Sequence, residues 1–192
     1  MRKIEAFAMR QYTKLDYSHG TNHAFRTVAL AEYLALREGA DVETCRAAAL
    51  LHQYHPEHAE KVDRFLRRIR LSQTVRDRIV HCVRTVSRSS VNKARTVEAR
   101  VVFDADKLQV LGPFGAIREI AYRTRTQNLN YYDAAMQTKE LQRDIFNRLQ
   151  TKTARRLARR PHALSLAMFK AFEEWSRAGF TKRPLTRTEL RT

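Results

Sequence analysis

Glycine, proline and cysteine are scarce in this chain: five, four and two among 192 residues. With so few helix breakers and so many Ala, Leu, Arg and Glu, the composition points toward helix. The two cysteines, Cys45 and Cys82, fall inside helical patterns without CxxC spacing. They read as reduced, semi-buried thiols of a cytoplasmic protein. No stretch approaches the ~20 apolar residues that a bilayer-spanning helix needs. Met1-Arg2-Lys3-Ile4-Glu5-Ala6 is followed by no long apolar run, which excludes a secretory signal at this end.

Negative charge is also short. Thirty-seven Lys and Arg stand against twenty Asp and Glu, a formal net charge of +17. Such a field draws polyanions and speeds encounters with nucleotides or nucleic acid, although a basic surface with no dedicated partner has the same composition. Arginine is densest in Arg64-Phe65-Leu66-Arg67-Arg68-Ile69-Arg70 and in Arg155-Arg156-Leu157-Ala158-Arg159-Arg160. Its guanidinium fork suits phosphate. Aromatics are not interleaved with these runs as a single-strand stacking platform requires, so sequence-specific nucleic-acid recognition is not supported.

The length suits one domain with one core, and 43% hydrophobic with 30% charged residues is ordinary for a globular chain. Apolar residues recur every three or four positions almost throughout, with no alternating strand. The spacing predicts a first helix from Met1 to about Leu15 and a turn over 16–21. A second helix ends at Gly39 as a C-terminal cap, and a third, capped by Asp41, runs to His52-Gln53 before Pro56. Further helices are expected over 57–69, 73–87 (capped by Ser72), 96–110 (stopped by Gly112-Pro113) and 114–123. A polar loop over 126–133 follows, then helices over 138–149 and 151–177, the last broken or kinked by Pro161. The expectation is a single all-α domain over 1–192, a helical bundle.

Phosphate-ester cleavage by metal ions asks for neutral imidazoles as outer ligands and carboxylates that offset cationic charge. Residues of these types occur in three segments. Ser18-His19-Gly20-Thr21-Asn22-His23-Ala24-Phe25-Arg26 resembles an SHDxxHxxR motif, with Gly20 in place of the acid. Glu38-Gly39-Ala40-Asp41, followed by the alanine-leucine run into His52, resembles EGAD…AALLHD, with Gln53 in place of the final Asp. Asp104-Ala105-Asp106-Lys107-Leu108 through Arg118 resembles DADRLDALGAIGIAR, and Thr151–Ala158 resembles the closing helix. These are motifs of the HD-domain superfamily of metal-dependent phosphohydrolases, and the resemblance covers about 17–176.

The resemblance implies an HD-type helical bundle with His23, His52 and Asp106 as metal ligands. Lys107 would meet a substrate phosphate, and His19 would line the pocket as proton donor or phosphate contact. Arg26 and Arg118 would bind phosphate or support the fold. Gln53 would be a weak, uncharged fourth ligand, which favours one divalent ion (Mn, Mg, Fe or Zn) over two. Val86 stands where the family has a histidine in HSFS, while His81 reads as an ordinary helix residue. His55 follows His52 at HxxH spacing, but His55 and His58 read as exposed residues around a helix end. Asp104 reads as structural.

Two functions are compatible with this pattern. One is a phosphohydrolase acting on a nucleotide or other small phosphoester through a modified, mononuclear site. The other is a catalytically degenerate HD domain that binds nucleotide, nucleic acid or protein without turnover. Retention of three dispersed ligands favours the first; Gln53 and Val86 favour the second.

Overall fold

Nine α-helices follow one another in the computed structural model, which describes residues 1–16, 18–54 and 58–176; no strand occurs among them. They are α1 (Arg2–Tyr12), α2 (Thr21–Glu38), α3 (Val42–Leu51), α4 (Ala59–Arg68), α5 (Gln73–Thr85), α6 (Val97–Lys107), α7 (Gly112–Thr126), α8 (Tyr131–Arg148) and α9 (Lys152–Ser176). The result is the single-domain, all-α bundle that the periodicity predicts. No helix among the described residues is long and apolar enough to cross a membrane. His55, Glu57 and Arg177 lie outside the described residues.

Local chemistry sets most boundaries. Gly39 ends α2 at φ 69°, a left-handed conformation that a side chain disfavours. Asp41 caps α3, its Oδ1 accepting the Thr44 N–H at 2.7 Å. Ser72 occupies the cap position of α5 without a side-chain cap bond.

Three expectations need correction. Gly112-Pro113 opens α7 rather than stopping a helix, because proline's missing N–H costs nothing in a first turn. Helix α8 starts at Tyr131, well before 138, since Asn130 Oδ1 accepts the Asp133 N–H at 2.9 Å and caps it there. Pro161 does not break α9, which runs unbroken from Lys152 to Ser176. An interior proline costs about 3 kcal/mol or more, and the packing of α9 against α7 and α8 outweighs that cost.

Helix α2 lies between α3 and α6, and α5 closes the layer against α3, α4 and α6. The small face Ala47-Ala48-Ala49 is fully or almost fully buried and lets α3 approach its neighbours closely. Leu34, Leu51, Leu66, Phe103 and Ile145 fill the centre without solvent exposure to speak of. Each such side chain contributes about 1.5–3 kcal/mol by leaving water. A smaller apolar cluster of Ala116, Ala135 and Phe169 joins α7, α8 and α9. Cys45 and Cys82 are buried, unpaired thiols in the main core.

Two acids near the end of α6 serve opposite faces. Asp104 is fully buried and turned toward the start of α9. Its carboxylate accepts the Gln150 N–H (2.8 Å), the Thr151 N–H (2.7 Å) and the Thr151 hydroxyl (2.7 Å). Burial nevertheless pushes its carboxyl up to about 6, against the pull of those donors. Glu38 adds a second cap by accepting the Thr153 N–H at 2.8 Å. Asp104 thus ties α9 to α6, the structural role read from the sequence. Asp104→Ala leaves its backbone donors without their partner, so urea unfolding should show a loss of about 2–3 kcal/mol.

Candidate metal centre

The three helices that meet at α2 each bring one polar side chain to a common point. His23 comes from the first turn of α2, His52 from the 3₁₀ turn that ends α3, and Asp106 from the last turn of α6. His23 Nε2 and His52 Nε2 are 3.0 Å apart. Asp106 Oδ1 lies 3.3 Å from the first and 3.5 Å from the second. All three side chains are buried, and their ligand atoms lie within 4.8 Å of one another.

The outer nitrogens fix which ring atom faces inward. His52 Nδ1 is 2.6 Å from the Ala49 carbonyl, which can only accept, so Nδ1 carries the proton and Nε2 presents a lone pair. The same logic runs through Gln109 for His23. The Thr27 hydroxyl donates to the His23 carbonyl (2.8 Å) and must therefore accept from Gln109 Nε2 (2.7 Å). That orients the Gln109 amide, leaving Oε1 to accept from Arg26 Nε (3.1 Å) and His23 Nδ1 (3.2 Å). His52 thus aims an acceptor nitrogen at this point beside a carboxylate, and His23 does so in the tautomer that donates Nδ1–H to Gln109 instead of accepting there from Arg118 Nη1 at 3.2 Å. Two nitrogens each about 2.1 Å from one ion, at a right angle, would lie about 3.0 Å apart, so the residues fit one divalent cation.

Burial lowers the His52 pKa from 6.5 to about 4, so this imidazole is neutral near pH 7, as a ligand must be. Burial alone would raise the Asp106 carboxyl, but Lys107, His52 and His23 hold it well below the usual carboxylate range. Lys107 Nζ is 2.6 Å from Asp106 Oδ2. Tyr12 stands behind His52, its Oη 3.2 Å from Nδ1, and burial keeps the phenol protonated.

This cluster forms the floor of a cavity of about 520 Å³. Lys107, Arg118, Arg123 and Arg88 line it, together with His19, Gln53 and Val86. His19 is on the wall, as expected, and Gly20 does not leave it without an acid. Asp16 accepts from His19 Nδ1 at 2.9 Å, held there by the Ser18 N–H at 2.7 Å. Burial would raise the Asp16 carboxyl, but these bonds to His19 and Ser18 keep it low.

The other candidates divide. Arg118 lines the cavity, with Nη1 3.2 Å from His23 Nδ1 and Nη2 3.5 Å from Glu119. Arg26 is not among the lining residues; it sits over the Phe114 ring at 4.9 Å and braces Gln109. Gln53 presents its amide nitrogen, not its oxygen, to His52 Nε2 at 3.0 Å. In that orientation it donates to the lone pair instead of acting as a ligand. His81 accepts the Arg95 N–H at 3.2 Å, a structural role.

The bracing residues were not legible. Gln109 is one polar residue in an amphipathic stretch, and only the folded path of α6 and α7 brings it to His23. Its turn is held from outside: a Cβ on Gly115 would collide with the Val110 carbonyl, so glycine alone lets α7 press against the Leu108–Val110 turn. Arg88 and Arg123 carried no motif, and Asp16 read only as part of a turn.

Residues 20–111 match the family model described as HD domain. A comparison with curated proteins returns no match. Among solved structures, selenomethionine-labelled YpgQ of Bacillus subtilis superposes at TM-score 0.76 with 23% identity, covering 92% of this chain and 97% of that one. YpgQ in complex with ADP superposes at 0.72 with 21% identity, covering 92% and 97%. An HD-superfamily hydrolase of Bacillus thuringiensis superposes at 0.64 with 20% identity, covering 92% and 96%. These likenesses show a common fold.

Two predictions follow from the bracing. A folded-state pKa below the unfolded one stabilises the native state above pH ~6.5, and that stabilisation is lost as pH falls through about 4. Metal-free protein should therefore lose up to about 3 kcal/mol from His52 between pH 6.5 and 4. Urea melts across that range should be flatter for His52→Gln. Gln109→Leu should weaken divalent-metal affinity by about 10–100-fold with little change in helicity; unchanged affinity in a metal titration would show that Gln109 does not orient His23.

Proposed function

We propose that this chain, which carries an HD domain over residues 20–111, is a metal-dependent phosphohydrolase with a mononuclear site, acting on a nucleotide or another small phosphoester. One observation carries the reading. Two imidazoles and one carboxylate, with ligand atoms within 4.8 Å of one another, converge beneath a cavity lined by Lys107, Arg118 and Arg123. The fold shared with hydrolases of the HD superfamily supports it. The structural neighbour described in complex with ADP supports a nucleotide as the phosphorylated compound.

His23, His52 and Asp106 would hold the ion, with Mn, Mg, Fe or Zn as the candidates. Such an ion supplies Lewis acidity and an activated water near neutral pH. The protein's own residues do the rest. Lys107 is 2.6 Å from Asp106 and can turn to a substrate phosphate, while Arg118 and Arg123 neutralise charge that grows on the phosphoryl oxygens. His19, with Nδ1 committed to Asp16, keeps Nε2 for proton transfer to the departing group.

A second reading is a degenerate domain that binds nucleotide without turnover. Gln53 favours it, because the amide N–H occupies the His52 lone pair that a metal would need. Val86 in the cavity wall favours it as well, being unable to ligate or transfer protons. Turning the Gln53 amide by half a rotation removes the first objection, since its oxygen then faces the centre as a weak fourth ligand.

Metal analysis combined with a phosphatase and nucleotidase panel tests the proposal. Wild type should bind about one divalent ion per chain and hydrolyse at least one phosphoester, and Asp106→Asn should lose both. Gln53→Asp should bind metal more tightly. A wild type that takes up no metal and turns nothing over sinks the enzyme; gain of both properties by Gln53→Asp alone would favour the degenerate reading.

A further inference from the structure

Basic residues are spread over the molecule, but most of those near an acid are paired. Asp63 binds Arg67 and Arg76, Asp144 binds Arg88 and Arg148, and Glu140 binds Arg143. The start of α9 is different. Lys152, Arg155, Arg156, Arg159 and Arg160 are all exposed. They fall at i, i+3, i+4, i+7 and i+8, which is one face of a helix. Thr153, Ala154, Ala158 and His162 form the buried face. At a rise of about 1.5 Å per residue the basic stripe is about 12 Å long.

The first four of these residues line a hollow of about 340 Å³ with Thr153 and no carboxylate. None of the five makes an ion pair among the described residues. Arg155 Nε donates to the Leu149 carbonyl at 2.8 Å, which fixes its guanidinium at the rim. The acids that reach this end of α9 are committed: Asp104 to Gln150 and Thr151, Glu38 to Thr153. The same bonds cap the helix's first N–H groups, so an anion here would meet side chains and not the open helix end.

We propose that this α9 stripe binds the phosphate backbone of nucleic acid. Guanidinium forks grip phosphate oxygens in pairs, and a row of cations without ion-pair partners among the described residues matches a row of phosphates. No aromatic residue lies between 152 and 160, so bases are neither stacked nor read, and binding is independent of sequence. The inference does not rest on the phosphohydrolase reading and would stand if the metal centre proved inactive.

The test is fluorescence anisotropy of full-length protein with a short labelled DNA duplex and the matching RNA duplex, titrated over a range of salt. Each phosphate contact contributes about 0.9 to the slope of log K against log salt, so five cations give a slope steeper than about −3. Arg156→Gln, Arg159→Gln and Arg160→Gln together should flatten the slope by about 2–3 and weaken binding at ~0.1 M salt by roughly a hundredfold or more. The corresponding triple change to Lys should restore it, which separates charge loss from misfolding. Arg2→Gln, Lys3→Gln and Arg64→Gln remove the same formal charge from exposed positions elsewhere and should cost far less. Preference for either duplex identifies the physiological class within the proposal. It is overturned by absent binding at low salt, by equal losses in the two Gln triples, or by polyglutamate displacing the protein as well as nucleic acid does.

Discussion

Everything at the centre depends on where two protons sit. An imidazole ligates through an unprotonated nitrogen, and burial keeps the His52 ring neutral without choosing which nitrogen that is. The choice is made behind the ring. A main-chain carbonyl takes the Nδ1 proton of His52, while at His23 Nδ1 the Gln109 oxygen invites a proton and the Arg118 guanidinium invites a lone pair. The Ala49 acceptor is rigid because it belongs to helix backbone, whereas the Gln109 amide is held by its bonds to Thr27 and Arg26. A carbonyl or amide at the back of a ligand raises its basicity as well as orienting it. The precision of the site therefore lies in helix packing, in particular in the pressure of α7 on the turn that carries Gln109.

The two acids of Asp104-Ala105-Asp106 illustrate how one helix serves both stability and chemistry. Two residues apart on a helix, their side chains point to different faces. One is sealed under the start of α9 and raised by burial to about 6; the other is held low by the positive groups around it. Their environments separate them, not their identity. Because Asp104, together with Glu38, anchors the start of α9, it also sets the position of the basic stripe relative to the core.

His23, His52 and Asp106, which the structure brings together, were legible from the short motifs that they resemble: His23 just after a turn, His52 at the end of an alanine-rich helix, Asp106 in an acid pair. The helical bundle was legible from periodicity for the same reason. What could not be read was whatever depends on the meeting of distant segments. Gln109 meets His23 and Arg26 across more than eighty residues of chain, and nothing local marks it. Arg26 carried a motif that suggested phosphate, yet packing turned it onto Phe114 and into support. Pro161 misled in the opposite sense, since a local breaking tendency of a few kcal/mol yields to tertiary burial of the helix around it.

Gln53 acts on the electrostatics of the cavity more than on its shape. A carboxylate there would give the centre a second negative charge beside Asp106. With an amide, Asp106 is the carboxylate at the cluster of imidazoles, while the other two in the cavity wall, Asp16 and Glu119, are bonded to His19 and Arg118. A second cation would meet repulsion with no added charge to offset it. An anionic ligand would meet the reverse, since it brings negative charge of its own.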